Sequence, residues 1–595
     1  MLKKILRRTF YALLSVILLL AVALYFLFVL PFWGIPFNGQ RHGRVPLTPA
    51  WALECWLWED DINTAERVDE LLTGYAEHDI PVRTLIIDSP WSTRLNDFEV
   101  DTTRYPHPRQ WFHRLQDEGY RVVLWMTSMV NSYNKDTAIR NSQDWYTVAR
   151  NNGFLVGNGY QVKWWKGRGG FIDYTNPDAM QWWHGMQDSV FSWGIDGWKL
   201  DGTATFFSSQ VAGVPLPYQK TAQGWSTTRH YMDRYYREEY RHGLSKNPEF
   251  VTLARSKDRP WTHPEGFAPL DAAPVTWVGD QKHTWQSSHP LDETEDDRDL
   301  VMDGVGGIEN ALRDILASAE LGYCVVGSDI AGFSGRIIPP RLYIRWAQFS
   351  TFCGLFMNGG HGERALWKRS RQELEIIRKF SWLHTELIPY MYSHVVHCHN
   401  GGKPLQRPVD GTYHYLFGDD LLVAPIYVDT LYRSVTLPKG TWHYFFNDLE
   451  IYEGNQTHGK TFPLDEYPVF IKRGAIIPMH ITRSYTGLGD ERSEGLYTLL
   501  IYPDQENSFD LYHPDGSGKT VIRTNKNHNT LTISLNGQAC PHILRVNSPF
   551  KPHMIQLNDE VLQEQSWRYD ADQQKIIISS PQFTEGEYKI ILPPA

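Results

Sequence analysis

The hydrophobic pattern changes three times along the chain, and the first segment is a long apolar run. From Phe10 to Leu30 every residue is apolar except Ser15, which is close to the roughly 20 residues that a helix needs to cross a bilayer. Basic residues precede the run, at Lys3, Lys4, Arg7 and Arg8. Because basic flanks stay on the cytoplasmic side, everything after the run is expected outside the cytoplasmic membrane. The predicted segments are a cytoplasmic tail (1–9), a transmembrane helix (10–32) and a linker (33–48).

A cleavable signal peptide is the alternative for this segment. Ala21-Val22-Ala23 offers the small residues that signal peptidases require. Cleavage there would leave the apolar stretch from Leu24 to Trp33 as a new N-terminus. Because such an apolar N-terminus would be unfavourable in water, the sequence favours an uncleaved anchor.

Between residues 49 and 400, short apolar runs alternate with stretches that have the 3.6-residue period of helices. The eight runs are Trp51–Trp58, Thr84–Asp88, Val122–Met126, Gly197–Asp201, Phe250–Arg255, Ala273–Asp280, Tyr323–Asp329 and Gly354–Gly360. Helices are predicted at Thr64–His78, Pro108–Glu118, Pro177–Trp193, Ile308–Leu321 and Pro339–Phe352. Eight repeats of this kind predict an α/β fold, a (β/α)8 TIM barrel over 49–400. The connections 203–249 and 281–306 are predicted to be long functional loops.

After residue 400 the pattern changes to short alternating strands separated by Gly, Pro, Asn and Asp. This spacing of strands and turns is typical of antiparallel sandwiches. The sequence therefore predicts two C-terminal β-sandwich domains, over 401–481 and 482–595.

Composition excludes one class of partner and favours another. The net charge of −10 and the lack of a basic patch in the sequence argue against nucleic acid, because phosphate binding needs clustered positive charge. The 23 Trp and 31 Tyr residues favour a carbohydrate ligand, since aromatic faces stack on sugar rings. Five cysteines are few and odd in number, and they predict no disulfide framework.

Two predicted barrel strands end on a carboxylate, at Asp201 and Asp280. Strands of a parallel barrel end at one rim, where barrel enzymes place their chemistry, and two facing carboxyl groups can hydrolyse a glycosidic bond. Lys199 shares a strand face with Asp201 and should lower its pKa, whereas Trp277 should provide an apolar wall that raises the pKa of Asp280. The structural alternative is that each carboxylate only caps the helix that follows it.

Other predicted strands also end on polar residues. These are Asp88, Arg255 and Asp329, with His361 just after the eighth strand. Each could bind sugar hydroxyls or be a partner in a buried ion pair. Several ionisable groups at one rim would be costly without a polar ligand, which favours a binding site.

These motifs resemble glycoside hydrolase family 31, a family of retaining α-glycosidases. In the barrel the resemblance rests on Trp51-Ala52-Leu53, Asp79-Ile80-Pro81, Trp125, Ile172-Asp173-Tyr174-Thr175-Asn176-Pro177, Trp198-Lys199-Leu200-Asp201, Ala254-Arg255-Ser256, Trp277-Val278-Gly279-Asp280, Ser328-Asp329-Ile330-Ala331-Gly332-Phe333 and His361. Beyond it, the matching motifs are Gly402-Lys403-Pro404-Leu405-Gln406-Arg407-Pro408, Phe417-Gly418-Asp419-Asp420-Leu421-Leu422-Val423-Ala424-Pro425 and Pro468-Val469-Phe470-Ile471-Lys472-Arg473-Gly474. Only the apolar segment and a short linker precede the barrel, where many family members carry a β-sandwich.

The resemblance implies a role for each residue at the rim. Asp201 would be the nucleophile and Asp280 the acid/base of a double displacement through a glycosyl-aspartate intermediate. Retention would place their carboxyl groups roughly 5 to 5.5 Å apart. The glycone subsite would be lined by Asp88, Trp125, Lys199, Arg255, Trp277, Asp329 and His361. The reaction would need neither a metal nor an organic cofactor.

The expected substrate is an oligosaccharide or glycoconjugate with a terminal α-linked sugar. We rank α-glucosides and α-galactosides level, ahead of α-xylosides. A transglycosylase with the same carboxylate pair, a non-catalytic carbohydrate-binding receptor and an anchored structural protein are alternatives. The acidic stretch 291–303 predicts a solvated loop, with a cation site as the lesser alternative. The cluster His394, His397, Cys398 and His399 predicts a helix C-terminus rather than a metal site.

Overall fold

The computed structural model describes residues 2–34, 43–202, 216–257, 266–286, 306–335, 337–581 and 585–594. Its N-terminal segment is an α-helix over Leu2–Leu24 that continues as a π-helix over Tyr25–Trp33. The helical segment Lys3–Trp33 has 31 residues and is long and apolar enough to cross a membrane. A signal sequence near an N-terminus can have the same length and composition. Membrane insertion and its direction stay predictions.

Eight parallel strands form the barrel sheet. They are β1 (Cys55–Leu57), β2 (Thr84–Ile87), β3 (Arg121–Met126), β4 (Gly197–Leu200), β5 (Val251–Arg255), β6 (Val275–Trp277), β7 (Val326–Gly327) and β8 (Phe356–Asn358). Their order is β7-β6-β5-β4-β3-β2-β1-β8. A parallel bridge between Asp329 and Met357 links the end of β7 to β8 and brings the sheet close to closure. Seven of the predicted runs contain one of these strands and the eighth, Val122–Met126, starts one residue inside β3, so the (β/α)8 prediction is confirmed.

Helices lie where the 3.6-residue period predicts them. Their bounds are Ala65–Glu77, Pro108–Asp117, Pro177–Ser192, Ile308–Glu320 and Pro340–Thr351. Two further helices, Arg371–Glu386 and Ile388–His399, follow β8. The local sequence fixes several starts, because Thr64 and Asn176 accept hydrogen bonds from backbone N–H groups of the first turns.

Two insertions differ from the prediction. After β3, the strands Met129–Asn134, Val162–Trp164 and Gly167–Phe171 form a small antiparallel sheet, joined by the helix Gln143–Asn151. The described part of 203–249 holds a hairpin, Tyr218–Thr221 with Gly224–Thr227, and the helix Thr228–Lys246. The described part of this connection is therefore mostly hairpin and helix, and buried tyrosines form the inner face of the helix. The acidic stretch 291–303 lies outside the described residues.

The C-terminal part consists of β-sheets, as predicted. The proximal sheet has the strand order Gln406–Pro408, Tyr415–Phe417, Leu421–Val423, Val469–Lys472, Thr441–Tyr444 and Asn447–Glu453, beside a ribbon of Tyr432–Leu437 and Gln456–Thr461. The first distal sheet has the order Ile476–Met479, Tyr497–Ile501, His542–Asn547, Lys575–Ser580 and Trp567–Asp570. The second has the order Glu506–Tyr512, Lys519–Asn527, Thr530–Gly537, Gly586–Ile591, Met554–Leu557 and Glu560–Val561. Ile476–Met479 therefore pairs with a distal strand, although the predicted boundary groups it with the proximal domain.

By compactness the chain divides into two units. The first consists of Met1–Arg44, Asp88–Arg114 and Val123–Ala273, and the second of Val45–Ile87, Leu115–Val122 and Pro274–Ala595. The predicted site residues divide accordingly. The first unit holds Asp88, Trp125, Lys199, Asp201 and Arg255, and the second holds Trp277, Asp280, Asp329 and His361.

Candidate active site

Asp201 follows β4 directly, and both of its carboxylate oxygens accept hydrogen bonds. Arg255 Nη2 and Nε lie 3.0 Å and 3.1 Å from Asp201 Oδ1. Trp125 Nε1 donates to Oδ2 at 3.2 Å. The Asp201 side chain still exposes 14% of its surface, so it is held firmly but remains accessible to a ligand.

The register of neighbouring strands brings Arg255 to Asp201. Ala254 of β5 pairs with Leu200 of β4, so Arg255 and Asp201 are the next pair at the strand ends. On the other side Met126 of β3 pairs with Leu200, and the Asp201 N–H donates to the Met126 carbonyl at 3.2 Å. The contact is therefore a consequence of sheet register and not of nearness in sequence.

The charges around Asp201 outweigh its burial. Burial raises the pKa of Asp201, but the Arg255 guanidinium, the Lys199 ammonium and hydrogen bonds from Gly202 and Trp125 lower it, so that the net shift is downward. The predicted direction of the shift is confirmed. The predicted cation, Lys199, is one of the causes, and Arg255, which was not predicted to act on Asp201, contributes more.

Lys199 makes its direct ion pair with Asp88. Lys199 Nζ lies 2.6 Å from Asp88 Oδ2, and the two side chains are only 6% and 8% exposed. Ser89 N donates to the other oxygen, Asp88 Oδ1, at 2.7 Å. Both Asp88 oxygens are thus occupied in a nearly buried pair, and the Lys199 ammonium also acts electrostatically on Asp201.

Gly202 turns the chain immediately after Asp201. Its φ is +77°, and a Cβ atom would lie 2.7 Å from Thr127 Cγ2. Backbone conformation and packing both require glycine at this position. The tight turn directs the Gly202 N–H toward the Asp201 carboxylate.

Trp125 is supported by an indole that the sequence analysis missed. The Trp164 ring stacks on Trp125 with centroids 6.4 Å apart and 9° between the planes. Trp164 Nε1 is fixed by Asn131 Oδ1 at 3.0 Å. Both partners come from the sheet inserted after β3, so this support depends on an element that the strand pattern did not reveal.

In the second unit, Asp280 follows β6 and is half-buried. Phe333 N donates to the Gln281 carbonyl at 2.8 Å, and His283 N donates to the Ser334 carbonyl at 2.8 Å. The segments after β6 and β7 are therefore tied together. Trp277 is 0% exposed, and its place in a subsite stays a prediction. That Asp201 and Asp280 face each other across one cleft also stays a prediction.

Two other predicted residues of this unit have partners just after β1. Trp58 Nε1 donates to Asp329 Oδ1 at 3.1 Å. His361 Nδ1 lies 2.7 Å from Asp61 Oδ1, and Nε2 lies 3.3 Å from Asp60 Oδ2. The hydrogen bond from His361 lowers the pKa of Asp61.

The strand-end rule could have found Asp60 and Asp61, because they follow β1 much as Asp88 follows β2. A third missed residue is Arg364, which is 0% exposed. Its guanidinium donates to the Ile330, Gly332 and His361 carbonyls at 2.6, 2.9 and 2.9 Å. It thereby fixes the loops that carry Asp329 and His361.

The described ranges contain no group of three or more His, Cys, Asp or Glu side chains arranged to hold a metal ion. Within the cluster at the end of Ile388–His399, the Cys398 thiol instead makes a side-chain hydrogen bond with Cys324. All five cysteines are buried and free.

Comparison with known families identifies the fold and the site region together. The chain matches the glycosyl hydrolases family 31 TIM-barrel domain over residues 45–290 and 304–394, and the family's C-terminal domain over 401–477. The chain belongs to glycoside hydrolase family 31. All nine predicted site residues lie within the matched barrel region, so the resemblance found in the sequence is confirmed at the family level.

The relatives within family 31 differ in their named activities. An α-xylosidase from Emericella nidulans is 25% identical to this chain over an aligned region that includes 74% of this chain and 54% of the xylosidase. An isomaltosyltransferase from Sporosarcina globispora is 24% identical over a region that includes 89% of this chain and 52% of the transferase. The chain spans about half the length of these curated relatives. The solved structure of a Flavobacterium johnsoniae dextranase, complexed with glucose, superposes on this chain with a TM-score of 0.76. The two are 22% identical, and the match includes 92% of this chain and 71% of the dextranase.

Proposed function

We propose that this chain is a retaining α-glycosidase with Asp201 as nucleophile and Asp280 as acid/base. The observation that carries the proposal is the environment of Asp201. A nucleophilic carboxylate must be ionised and reachable, and Asp201 has a lowered pKa and 14% exposure. Membership of family 31 supports the same assignment.

The proposed reaction has two displacements. Asp201 Oδ attacks the anomeric carbon while the Asp280 carboxylic acid protonates the departing oxygen, which forms a glycosyl ester and frees the aglycone. Asp280, now ionised, takes a proton from water, and the water oxygen displaces Asp201 to release the sugar with retained configuration. Asp88, Lys199, Arg255, Asp329, His361 and the indoles of Trp125 and Trp277 are proposed to line the glycone subsite.

Azide can separate the two carboxylate roles. In Asp280→Ala, azide should replace water in the second step and give an α-glycosyl azide. In Asp201→Ala, azide should attack directly and give the β-azide. The same azide anomer from both variants would contradict the assignment.

Turnover of an aryl α-glycoside tests Asp201 itself. Asp201→Asn should lower kcat on the order of 10⁴-fold in a protein that still folds, which far-UV circular dichroism checks. Asp178→Asn is the matched control, because Asp178 is an exposed carboxylate on the helix Pro177–Ser192 and should keep full activity. Substantial activity in Asp201→Asn would remove Asp201 from the nucleophile role.

The proposed substrates are oligosaccharides or glycoconjugates with terminal α-linked sugars. We keep α-glucosides and α-galactosides ahead of α-xylosides, although a relative is named as an α-xylosidase. A panel of nitrophenyl α-sugars ranks the three directly. Highest kcat/KM on the α-xyloside would reverse the order.

Transglycosylation is the second candidate, and the relative named isomaltosyltransferase supports it. It uses the same carboxylate pair but delivers the sugar to an acceptor hydroxyl instead of water. Products formed with and without added glucose or maltose distinguish the two. Oligosaccharide products in place of free sugar would favour the transferase.

The N-terminal helix is proposed to be an uncleaved anchor with the barrel on the outer side of the cytoplasmic membrane. The length of Lys3–Trp33 and the preceding basic residues support this orientation. Protease added to intact cells or spheroplasts should digest the barrel. A chain shortened at its N-terminus and free of membrane would contradict an anchor.

A further inference from the structure

The hairpin between β4 and the helix Thr228–Lys246 presents an unusual set of side chains on one face. Lys220 pairs with Trp225 across the hairpin, and Tyr218 pairs with Thr227. Opposite residues of an antiparallel pair share a face, as do residues two apart on one strand. Tyr218, Lys220 and Trp225 therefore project from the same side, which we call the interface face.

The opposite face of this hairpin is packed against protein. Gln219 is 2% exposed, donates to Thr228 Oγ1 at 3.2 Å and accepts from Tyr160 Oη. Thr221 is also buried. These contacts fix which side of the hairpin points outward, so the exposure of the interface face is a property of the folded barrel.

The interface face lies beside the end of the apolar N-terminal helix. Tyr218 Oη donates to the Phe26 carbonyl at 2.7 Å. The strand Gly224–Thr227 and the helix Thr228–Lys246 also contact the π-helical segment Tyr25–Trp33. All of these residues belong to the first unit. The C-terminal end of the proposed anchoring helix is therefore next to the hairpin.

The side chains on this face suit the boundary between lipid and water. Trp225 exposes 75% of its surface, compared with 39% for Trp33 and 36% for Trp165. An indole left in water forgoes the free energy that burial of its apolar surface would gain, whereas Trp and Tyr are enriched at membrane interfaces. Lys220 is exposed and can lay its stem along the lipid while its ammonium group reaches the headgroups.

We propose that the interface face of the hairpin rests in the headgroup region of the bilayer that the N-terminal helix crosses. This surface would be a second, peripheral contact that limits rotation of the first unit about its anchor. The proposal rests on the proposed anchor. The occupant is lipid, because the face is continuous with the apolar segment and combines indole, phenol and ammonium groups.

Site-specific fluorescence of the full chain in vesicles tests this surface. The native cysteines are all buried, so Trp225→Cys provides a single reactive thiol for an environment-sensitive dye. The vesicles contain phosphatidylcholine and phosphatidylglycerol, with or without a nitroxide on the lipid headgroup. Dye emission at position 225 should shift to shorter wavelength relative to detergent, and the nitroxide should quench most of it.

Val148→Cys is the matched control, since Val148 is 49% exposed on another element of the same unit. Its dye should show neither the shift nor the quenching. Flotation of the vesicles separates the two proposals. If the protein floats but position 225 behaves like position 148, the hairpin contact is wrong and the anchor stands. If the protein does not float with the vesicles, both are wrong.

A protein partner would give a different pattern. A second copy of the chain on this face would shift the emission at position 225 without quenching by the lipid nitroxide. That result would overturn the lipid assignment.

Discussion

Asp201 and Glu386 are carboxyl groups in different units, and their pKa values move in opposite directions. Asp201 has a pKa below its ordinary value, although burial alone would raise it. Burial raises the pKa of Glu386 to about 8, against a hydrogen bond from Thr486 that lowers it. Thr486 Oγ1 lies 3.0 Å from Glu386 Oε2. Desolvation is thus the largest effect at both sites, but it prevails only at Glu386.

The difference lies in the charge of the neighbours. Asp201 has a guanidinium at 3.0 Å, whereas in the described part of the chain a neutral hydroxyl is what opposes burial at Glu386. A shifted pKa is often taken as a sign of a catalytic group. Here a strongly raised pKa belongs to Glu386, an acid at the end of the helix Arg371–Glu386 and outside the predicted site. Asp201, the proposed nucleophile, is better distinguished by its neighbouring cation and its remaining exposure.

Among changes to the neighbours of Asp201 and Glu386, removal of the Arg255 charge should have the largest effect. In Arg255→Met, burial is no longer outweighed, so the pKa of Asp201 should rise. The acidic limb of the kcat/KM profile should therefore move to higher pH, because Asp201 becomes protonated earlier on acidification. We expect kcat/KM at the optimum to fall on the order of 10² to 10³-fold, as for loss of a charge-stabilising donor. Initial rates on an aryl α-glycoside across pH measure both effects.

Arg255→Lys is the control, because it keeps the positive charge but lacks the planar set of N–H donors of the guanidinium. It should shift the acidic limb less than Arg255→Met does. An acidic limb unchanged in both variants would mean that Arg255 does not set the ionisation of Asp201.

Glu386→Gln should reduce the loss of unfolding free energy that occurs as the pH rises from about 4.5 to 8. The folded pKa of Glu386 is raised from 4.5 to about 8, so its contribution is fully present below about pH 4.5 and is lost as the pH rises toward 8. The wild-type free energy of unfolding should fall by on the order of 5 kcal/mol more than that of the variant across this window. Urea unfolding at several pH values measures the difference. Glu375→Gln, an exposed change on the same helix, should keep the wild-type pH dependence.

Elements with strong periodic patterns were predicted well from the sequence. The helix predicted at Pro177–Trp193 is observed at Pro177–Ser192, and β4 and β5 lie within the predicted runs. Short apolar runs bounded by polar residues are typical of buried parallel strands. The family was also recognisable, because its motifs occupy the ends of those strands.

The sheet inserted after β3 was not predicted, and its glycines explain why. A Cβ atom on Gly169 would lie 2.4 Å from the Val130 carbonyl oxygen, so the strands approach too closely for a side chain. In a sequence, Gly167-Arg168-Gly169-Gly170 indicates a turn and not a strand. The support that Trp164 gives to Trp125 was missed with it.

The larger effect of Arg255 on the pKa of Asp201 was missed for a related reason. Lys199 is two residues away in sequence, but the carboxylate it meets is Asp88. Arg255 reaches Asp201 because Ala254 pairs with Leu200. Spacing along one strand can be read from a sequence, whereas the register between strands cannot.

Lys199→Met should act on Asp201 in the same direction as Arg255→Met, with a smaller shift. Lys199 lowers the pKa of Asp201 less than Arg255 does, so the acidic limb should move up by less than in Arg255→Met. The variant also leaves Asp88 without its ion pair, which should raise KM if Asp88 binds the sugar. Lys199→Arg, which keeps the charge, should retain the acidic limb. A larger shift in Lys199→Met than in Arg255→Met would reverse the order of the two cations.

Thr486→Val should have the smallest effect and should be confined to alkaline pH. The substitution removes the hydroxyl that favours ionised Glu386, so the pKa of Glu386 should rise further. At pH 9 the variant should lose about 1 kcal/mol of unfolding free energy relative to wild type, the usual net value of such a hydrogen bond, whereas at pH 5 the loss should be smaller because Glu386 is protonated. Urea midpoints at the two pH values provide the comparison. An equal loss at both would mean that the hydroxyl does not oppose burial at Glu386, and that the contrast with Asp201 has another origin.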